Sequence, residues 1–261
     1  MLMTIDVGNT NITLGVFDGD ELRATFRMTT KAPRTSDELG VAICNFLMAR
    51  GIPLDAIEDA VVSSVVPKVM HSLTSALRRY FSVTPLIIGP GIKTGIRMGG
   101  DNPRETGADR IVNVAAAYHT YKKACLVLDF GTATTYDYVS ADGVFEYTVI
   151  SPGIQISAQA LWSQTAKLPE IEIVKPARVL ARNTVNGMQS GLVYGYIGQV
   201  EYIVRKIKEE LGTQMIVLAT GGLGRMISRE TSCIDFYDPD LAFKGMKIIY
   251  EKNRPAAPAQ G

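Results

Sequence analysis

The chain of 261 residues is poor in several residue types that usually announce a chemistry. It holds three cysteines, Cys44, Cys125 and Cys233, far apart, each in an apolar run and none in a C-x-x-C pair. That spacing excludes a disulfide framework and a zinc ribbon. So odd and sparse a count is typical of a reducing compartment, and the expectation is buried free thiols in a cytoplasmic protein. The two histidines, His71 and His119, lie in helical patterns without a second ligand nearby, which argues against a histidine-built metal site or a Ser-His triad. Charge of neither sign is in excess: 27 basic residues face 26 acidic ones, for a net charge of +1. No basic surface for nucleic acid and no like-charged tail for a membrane is therefore expected. No apolar run approaches the length of a membrane span. The start, MLMTIDVGNT, has no basic segment or cleavage site of a signal peptide.

What is present is ordinary for a globular chain: 46% hydrophobic and 20% charged residues. The length suits one large domain or two moderate ones. Residues 2–7 and 11–17 alternate as strands, and a DGD turn at 18–20 leads into a third, ELRATFRMT. Thr35 opens a capping-box spacing with Glu38, followed by Leu39, Ile43, Phe46 and Leu47 at helical spacing. DAVVSSVVP (59–67) reads as a buried strand stopped by Pro67, a helix follows over 68–82, and PLIIG is a short strand. A loop rich in Gly and Pro, 89–106, ends at GADR, which opens a helix running to residue 121.

The pattern then restarts. ACLVLDFGTATTYDYV is strand, loop, strand, and an ADG turn at 141–143 leads into VFEYTVI. Asp6 lies 12 residues before Asp18, and Asp129 lies 13 before Asp142. This is an internal repeat with a period far too long for a solenoid, so it predicts two related halves of the usual domain size. The second half continues with an amphipathic helix near 153–166, a polar segment at 167–182 and a long helix over 184–211. That helix carries Gly187, Gly191, Gly195 and Gly198 on one face. Each glycine costs about 1 kcal/mol in a helix interior, so the face is expected to pack closely on another helix, within the chain or across a subunit interface. MIVLATGG is a strand ending in glycines, a last helix spans 239–252, and RPAAPAQG reads as a disordered tail.

Three apolar strands, in IDVGNT, LDFGTAT and LATGG, end in polar, glycine-containing turns. Ligands collect at such strand ends in α/β sheets. Small residues let backbone N–H groups approach phosphate oxygens, and an Asp can hold Mg2+ directly or through water. Two Asp-Gly loops facing each other could clamp a triphosphate. A plain hairpin turn, with Gly and Asn tolerating positive φ, is the simpler explanation of the first stretch taken alone. GPGIKT at 89–94 is not a P-loop, because Ile92 stands where glycine must precede the lysine. DFG at 129–131 lacks the other protein-kinase signatures. GADR (107–110) sits at a loop-to-helix junction that favours anions. Arg110 could fork onto a substrate carboxylate and Asp109 could accept a proton from a hydroxyl; a first-turn helix acid beside a surface charge is the bland alternative.

Taken in order, DVGNTNITLGVF (6–17), NPRETGADRIVNVAAA (102–117), DFGTATTYD (129–137), SPGI (151–154), TAKLP (165–169), NTVNGMQSG (183–191) and ATGG (219–222) resemble the type III pantothenate kinases. These belong to the acetate and sugar kinase/Hsp70/actin superfamily. The resemblance implies an α/β fold of two ribonuclease H-like halves, each a mixed sheet opening with a three-stranded antiparallel unit and flanked by helices. One half is expected over 1–118 and the other over 119–253, with the tail at 254–261. It implies ATP-dependent phosphorylation of the primary alcohol of pantothenate to 4'-phosphopantothenate, the first step of coenzyme A biosynthesis. Another small-molecule kinase or phosphatase of the superfamily, or a non-enzymatic transcription accessory factor, are the alternatives.

Residue by residue, Asp6, Val7, Gly8, Asn9, Thr10, Asn11, Ile12 and Thr13 resemble the first phosphate loop, with Asp6 near Mg2+. Thr132 resembles an ATP-phosphate contact and the TGG turn at 220–222 an adenosine-side element. Gly107, Ala108, Asp109 and Arg110 resemble the pantothenate-binding turn, in which Asp109 is the general base and Arg110 a substrate contact. Thr184 resembles a further pantothenate contact, and Asp129 the ligand of a required monovalent cation, K+ or NH4+. The family is homodimeric, which suits the glycine-faced helix. Two departures stand out: Gly99 and Gly100 replace a usual aromatic, and Tyr147 and Thr148 replace a usual Gly-Gly pair.

Overall fold

The computed structural model describes residues 1–254. The expected tail therefore lies, beyond Arg254, outside the described residues. The described residues form two compact units: residues 1–97, 101–119 and 241–254, and residues 98–100 and 120–240.

The first unit is built on a five-stranded sheet. Its strands are β1 (Leu2–Val7), β2 (Asn11–Asp18), β3 (Glu21–Thr29), β4 (Asp59–Ser64) and β5 (Leu86–Ile87), in the order β3-β2-β1-β4-β5. β1 to β3 are antiparallel, and β4 and β5 join in parallel. Alternation sorts the side chains of β1 between two faces. Met3, Ile5 and Val7 pack with Leu39, Ile43 and Leu47 of α1 (Ser36–Ala49) and Leu73, Ala76 and Leu77 of α2 (Pro67–Phe81). Thr35 and Glu38 close the capping box that starts α1, and Pro67 opens α2 at a position where its missing N–H costs nothing. The opposite face carries Leu2 and Val61. These meet Val112 and Ala115 of α3 (Ala108–Tyr121) and Phe243, Met246 and Ile249 of α7 (Leu241–Asn253).

That last contact differs from the division at residue 118. The sequence places the final helix in the second half, but its apolar stripe covers the first sheet, and α7 belongs to the first unit. Gly245 makes the fit possible, because a Cβ there would lie 2.2 Å from the Val112 carbonyl oxygen.

The second unit repeats the plan. Its strands are β7 (Cys125–Phe130), β8 (Ala133–Val139), β9 (Val144–Pro152), β10 (Ile216–Thr220) and β11 (Phe236–Tyr237), with β6 (Arg97–Met98) at the edge. The order is β11-β10-β7-β8-β9-β6. Read from β9, it reproduces the antiparallel triplet followed by two parallel strands. Both sheets therefore have ribonuclease H-like order. Leu126, Leu128 and Tyr136 pack under Val193, Tyr196, Ile197, Val200 and Val204 of α5 (Thr184–Leu211). α4 (Ile154–Ser163) and the short α6 (Gly224–Ser228) complete the unit. β6, β11 and α6 are absent from the sequence reading, since two to five residues carry no periodicity.

The glycine face of α5 is not covered by any of the described residues. A Cβ at Gly191, Gly195 or Gly198 would meet nothing within 4 Å. Cys44 and Cys125 are buried free thiols, as expected, whereas Cys233 is only half-buried. No helix among the described residues is long and apolar enough to cross a membrane.

Candidate active site

In the first unit, Asp6 occupies the penultimate position of β1, in register with Thr13 of β2 and Ser63 of β4. It shares a face with Leu2, the face covered by α3 and α7. Ser63 is fully buried, and its hydroxyl has no hydrogen-bond partner among the described residues. Val7 and Ile12 pair across the hairpin with their side chains in the core, so only their backbone is available to a ligand.

The loop between them is Gly8, Asn9 and Thr10, with Asn9 exposed at its tip. Gly8 donates its amide to the Asn11 carbonyl at 3.0 Å. Thr30 braces the rear of the loop: its hydroxyl donates to the Gly8 carbonyl at 2.7 Å and its amide to the Thr10 carbonyl at 2.9 Å. A trans peptide holds its C=O and N–H in opposite directions. The amides of Asn9 and Asn11 therefore aim away from Thr30. Thr30 has no distinguishing sequence signal; it simply follows an amphipathic strand.

GADR sits at the same end of the same sheet. Val65, just past β4, donates to the Val7 carbonyl at 3.1 Å, and a Cβ at Gly107 would come within 3.4 Å of its side chain. Gly107 precedes α3, Ala108 packs into the cluster beneath it, and Asp109 and Arg110 are half-buried in the first turn. The Asp109 carboxylate accepts the Arg110 amide at 2.8 Å. A Cβ at Gly107 would lie 2.4 Å from that same Asp109 oxygen, so glycine is what lets the carboxylate fold back. Thus Asp6, Thr13, Ser63, Asp109 and Arg110 are gathered at one sheet end.

In the second unit, Asp129 is the counterpart of Asp6. It is in register with Thr135 and Thr220. The loop after it is one residue shorter: Gly131 and Thr132 alone join β7 to β8, both exposed. Gly131 donates to the Ala133 carbonyl and Gly153 to the Thr132 carbonyl, both at 3.1 Å. The TGG turn closes over Asp129. Gly221 has φ of +90°, and a Cβ there would fall 2.7 Å from the Asp129 carboxylate. The Tyr237 hydroxyl holds the Gly221 carbonyl at 3.0 Å. Thr184 is placed separately, exposed on the first turn of α5, whose cap is the Asn183 side chain accepting the Asn186 amide at 2.9 Å.

Of the departures, Gly99 donates to the Phe145 carbonyl at 2.8 Å beside β9. Tyr147 stacks on Tyr138 with ring centroids 6.1 Å apart, and the Thr148 hydroxyl donates to Asp137 at 2.8 Å.

Oxygen is the donor type at both strand ends, which suits hard cations. Among the described residues no cluster of three or more His, Cys, Asp or Glu could hold a metal. A lone carboxylate with water and phosphate oxygens is the usual setting of Mg2+, and each unit offers one such strand-end carboxylate, Asp6 in the first and Asp129 in the second.

The sequence of residues 2–206 matches the profile of the type III pantothenate kinases. A type III pantothenate kinase of Agathobacter rectalis is 55% identical over 253 residues, 97% of this chain and 97% of that protein. The chain belongs to the type III pantothenate kinase family. As a member it is an enzyme, a pantothenate kinase of the first step of coenzyme A biosynthesis, with ATP and pantothenate as substrates. Among solved structures, a conserved protein of Campylobacter jejuni described as a Baf family transcriptional activator aligns with a TM-score of 0.60. It is 18% identical, over 96% of this chain and 98% of that one. A Sinorhizobium meliloti protein described as a 2-dehydro-3-deoxygalactonokinase aligns at 0.57 and 13% identity, over 98% of each chain. At these identities the two likenesses show the shared fold alone.

Proposed function

We propose that Asp109 is the general base and that the two strand-end loops hold the phosphates of ATP while the pantothenate alcohol attacks the γ-phosphorus in line. One observation carries this reading: Asp6, the orphan Ser63 hydroxyl and the first turn of α3 share one face and one end of the first sheet.

Phosphoryl transfer needs positioning and charge neutralisation more than covalent help. A carboxylate cannot strip an alcohol of its proton in the ground state. Asp109 orients the hydroxyl and takes the proton late, as the oxygen acidifies on bonding to phosphorus and the bond to the ADP oxygen breaks. Arg110 forks onto the pantothenate carboxylate, Gly107 and Ala108 shape that turn, and Thr184 adds a further substrate contact. The amides of Asn9, Asn11 and Ala133 and the Thr132 hydroxyl donate to ATP. Asp6 holds Mg2+ and Asp129 holds K+ or NH4+; when bound, these ions neutralise the charge on the phosphates. The enzyme works as a cytoplasmic homodimer joined through the open glycine face of α5.

The test is a coupled ADP-release assay with ATP, pantothenate, Mg2+ and K+. Asp109→Asn is expected to lower kcat by about 10²–10⁴-fold with KM values little changed. Full activity in that variant removes the base assignment. Unchanged rates when K+ is replaced by a large organic cation remove the monovalent ion.

A further inference from the structure

Beside the second loop lies a buried hydroxyl cluster that no step above uses. The Tyr196 side chain on α5 is 6% exposed. Its hydroxyl donates to the Pro152 carbonyl and lies 3.2 Å from the Thr134 hydroxyl. A phenol has one proton to give, so Thr134 is the donor in the second bond. The Ser151 hydroxyl donates in turn to the Thr134 carbonyl at 3.4 Å.

This cluster is continuous with the loop. Pro152 stands opposite Ala133 in the β8–β9 register, and the next residue, Gly153, supplies the amide that engages Thr132. The fit is tight: a Cβ at Gly153 would lie 2.2 Å from the Thr132 carbonyl oxygen and 2.6 Å from that of Gly131. With the Thr132 carbonyl turned to Gly153, the Ala133 amide aims the other way. Residues 151–153, the end of β9 and the N-cap of α4, therefore form a strap along the loop, and the Tyr196 hydroxyl ties that strap to α5. Burial pushes the Tyr196 pKa up, which keeps that hydroxyl a neutral donor at working pH.

We infer that Tyr196 is a positioning residue for phosphoryl transfer: its hydroxyl holds the Ser151–Gly153 strap so that the loop at 131–133 presents its backbone to the phosphates of ATP. The inference rests on the proposal that this loop is a phosphate holder. The ring of Tyr196 packs in the core of the second unit. Phenylalanine keeps those contacts and removes only the anchor. It leaves the Pro152 carbonyl and the Thr134 hydroxyl, 1% exposed, without their shared partner. The strap then relaxes and the loop with it.

The experiment uses the full-length enzyme. Steady-state ADP release is measured for Tyr196→Phe with ATP and pantothenate varied separately, with thermal melting as a fold control. Amide exchange over residues 129–135 is followed with and without ATP. For Tyr196→Phe, kcat/KM for ATP is expected to fall about tenfold through a higher KM for ATP, the size of one lost buried hydrogen bond, with kcat and KM for pantothenate within about twofold of wild type. ATP is expected to protect the 131–133 amides in wild type, and less so in the variant. Wild-type protection together with unchanged ATP kinetics in Tyr196→Phe, or equal losses for both substrates, overturns the positioning role alone. Absence of ATP-dependent protection in wild type overturns the phosphate-loop reading and this inference together. If Tyr196→Phe does not fold, Thr134→Val takes its place: it leaves the Tyr196–Pro152 bond and removes only the hydroxyl that orients the phenol, so a smaller fall in kcat/KM for ATP, about threefold, is expected, and unchanged ATP kinetics overturn the positioning role.

Discussion

A methyl group at Gly107 tests how finely Asp109 is held. The added Cβ would lie 2.4 Å from Asp109 Oδ1, against 3.6 Å from its Cγ and 3.4 Å from Val65. A carbon needs roughly 3.4 Å of room beside an oxygen, so the carboxylate must swing away by about 1 Å. The oxygen that moves is the one accepting the Arg110 amide at 2.8 Å, and that bond is lost. Its net worth is about 1 kcal/mol. Gly107 is not among the glycines with positive φ, so alanine fits the backbone and returns about 0.4–1 kcal/mol through the unfolded chain. The two terms nearly cancel, and the melting temperature is expected to move by less than about 3 °C. Catalysis has no such compensation. A general base misplaced by about 1 Å costs on the order of 10²-fold. Gly107→Ala should therefore melt like wild type and turn over about a hundredfold more slowly, with KM for ATP unchanged. Parallel melting curves and steady-state assays check this. A kcat within about threefold of wild type would refute the claim that this turn sets the position of a catalytic carboxylate.

Other substitutions separate the remaining claims. Gly245→Ala would ordinarily strengthen a helix, but here the Cβ meets the Val112 carbonyl oxygen at 2.2 Å and the carbonyl cannot turn aside. A loss of about 1–3 kcal/mol, read as a lower urea midpoint, is expected instead. Burial pushes the Cys125 thiol from 9.0 up to about 12. A group whose folded pKa is raised contributes fully below the unfolded value, and its contribution is lost as pH climbs toward the folded one. The urea midpoint should thus fall more steeply above pH 9 in wild type than in Cys125→Ala, and parallel curves would contradict it. Gly195→Leu has open space around it, so the protomer should stay folded while light scattering reports loss of the proposed dimer. A persistent dimer would move the interface off α5.

Much of the fold was legible because its causes are local. The capping spacing of Thr35 and Glu38 starts α1, and the 28-residue periodicity of α5 runs from Thr184 to Leu211, the span expected. The repeated strand-Asp-Gly-strand plan foretold two sheets of one topology, and these indeed share strand order. The candidate residues Asp6, Asp109 and Asp129 were visible as carboxylates at strand or helix ends. Alternation and helix period depend on neighbours a few residues apart, and a linear reading captures them.

Other features depend on contacts between distant segments. That α7 covers the first sheet follows from Phe243, Met246 and Ile249 meeting Leu2, Val61 and Val112. Thr30 and Tyr196 carry no motif; each matters because folding brings a hydroxyl to one particular carbonyl, of Gly8 or of Pro152. Sequence by itself determined the elements, the repeat and the carboxylates at their ends. Only the tertiary structure decided which helix covers which sheet and which hydroxyls brace the two loops, because such pairings join residues far apart in the chain.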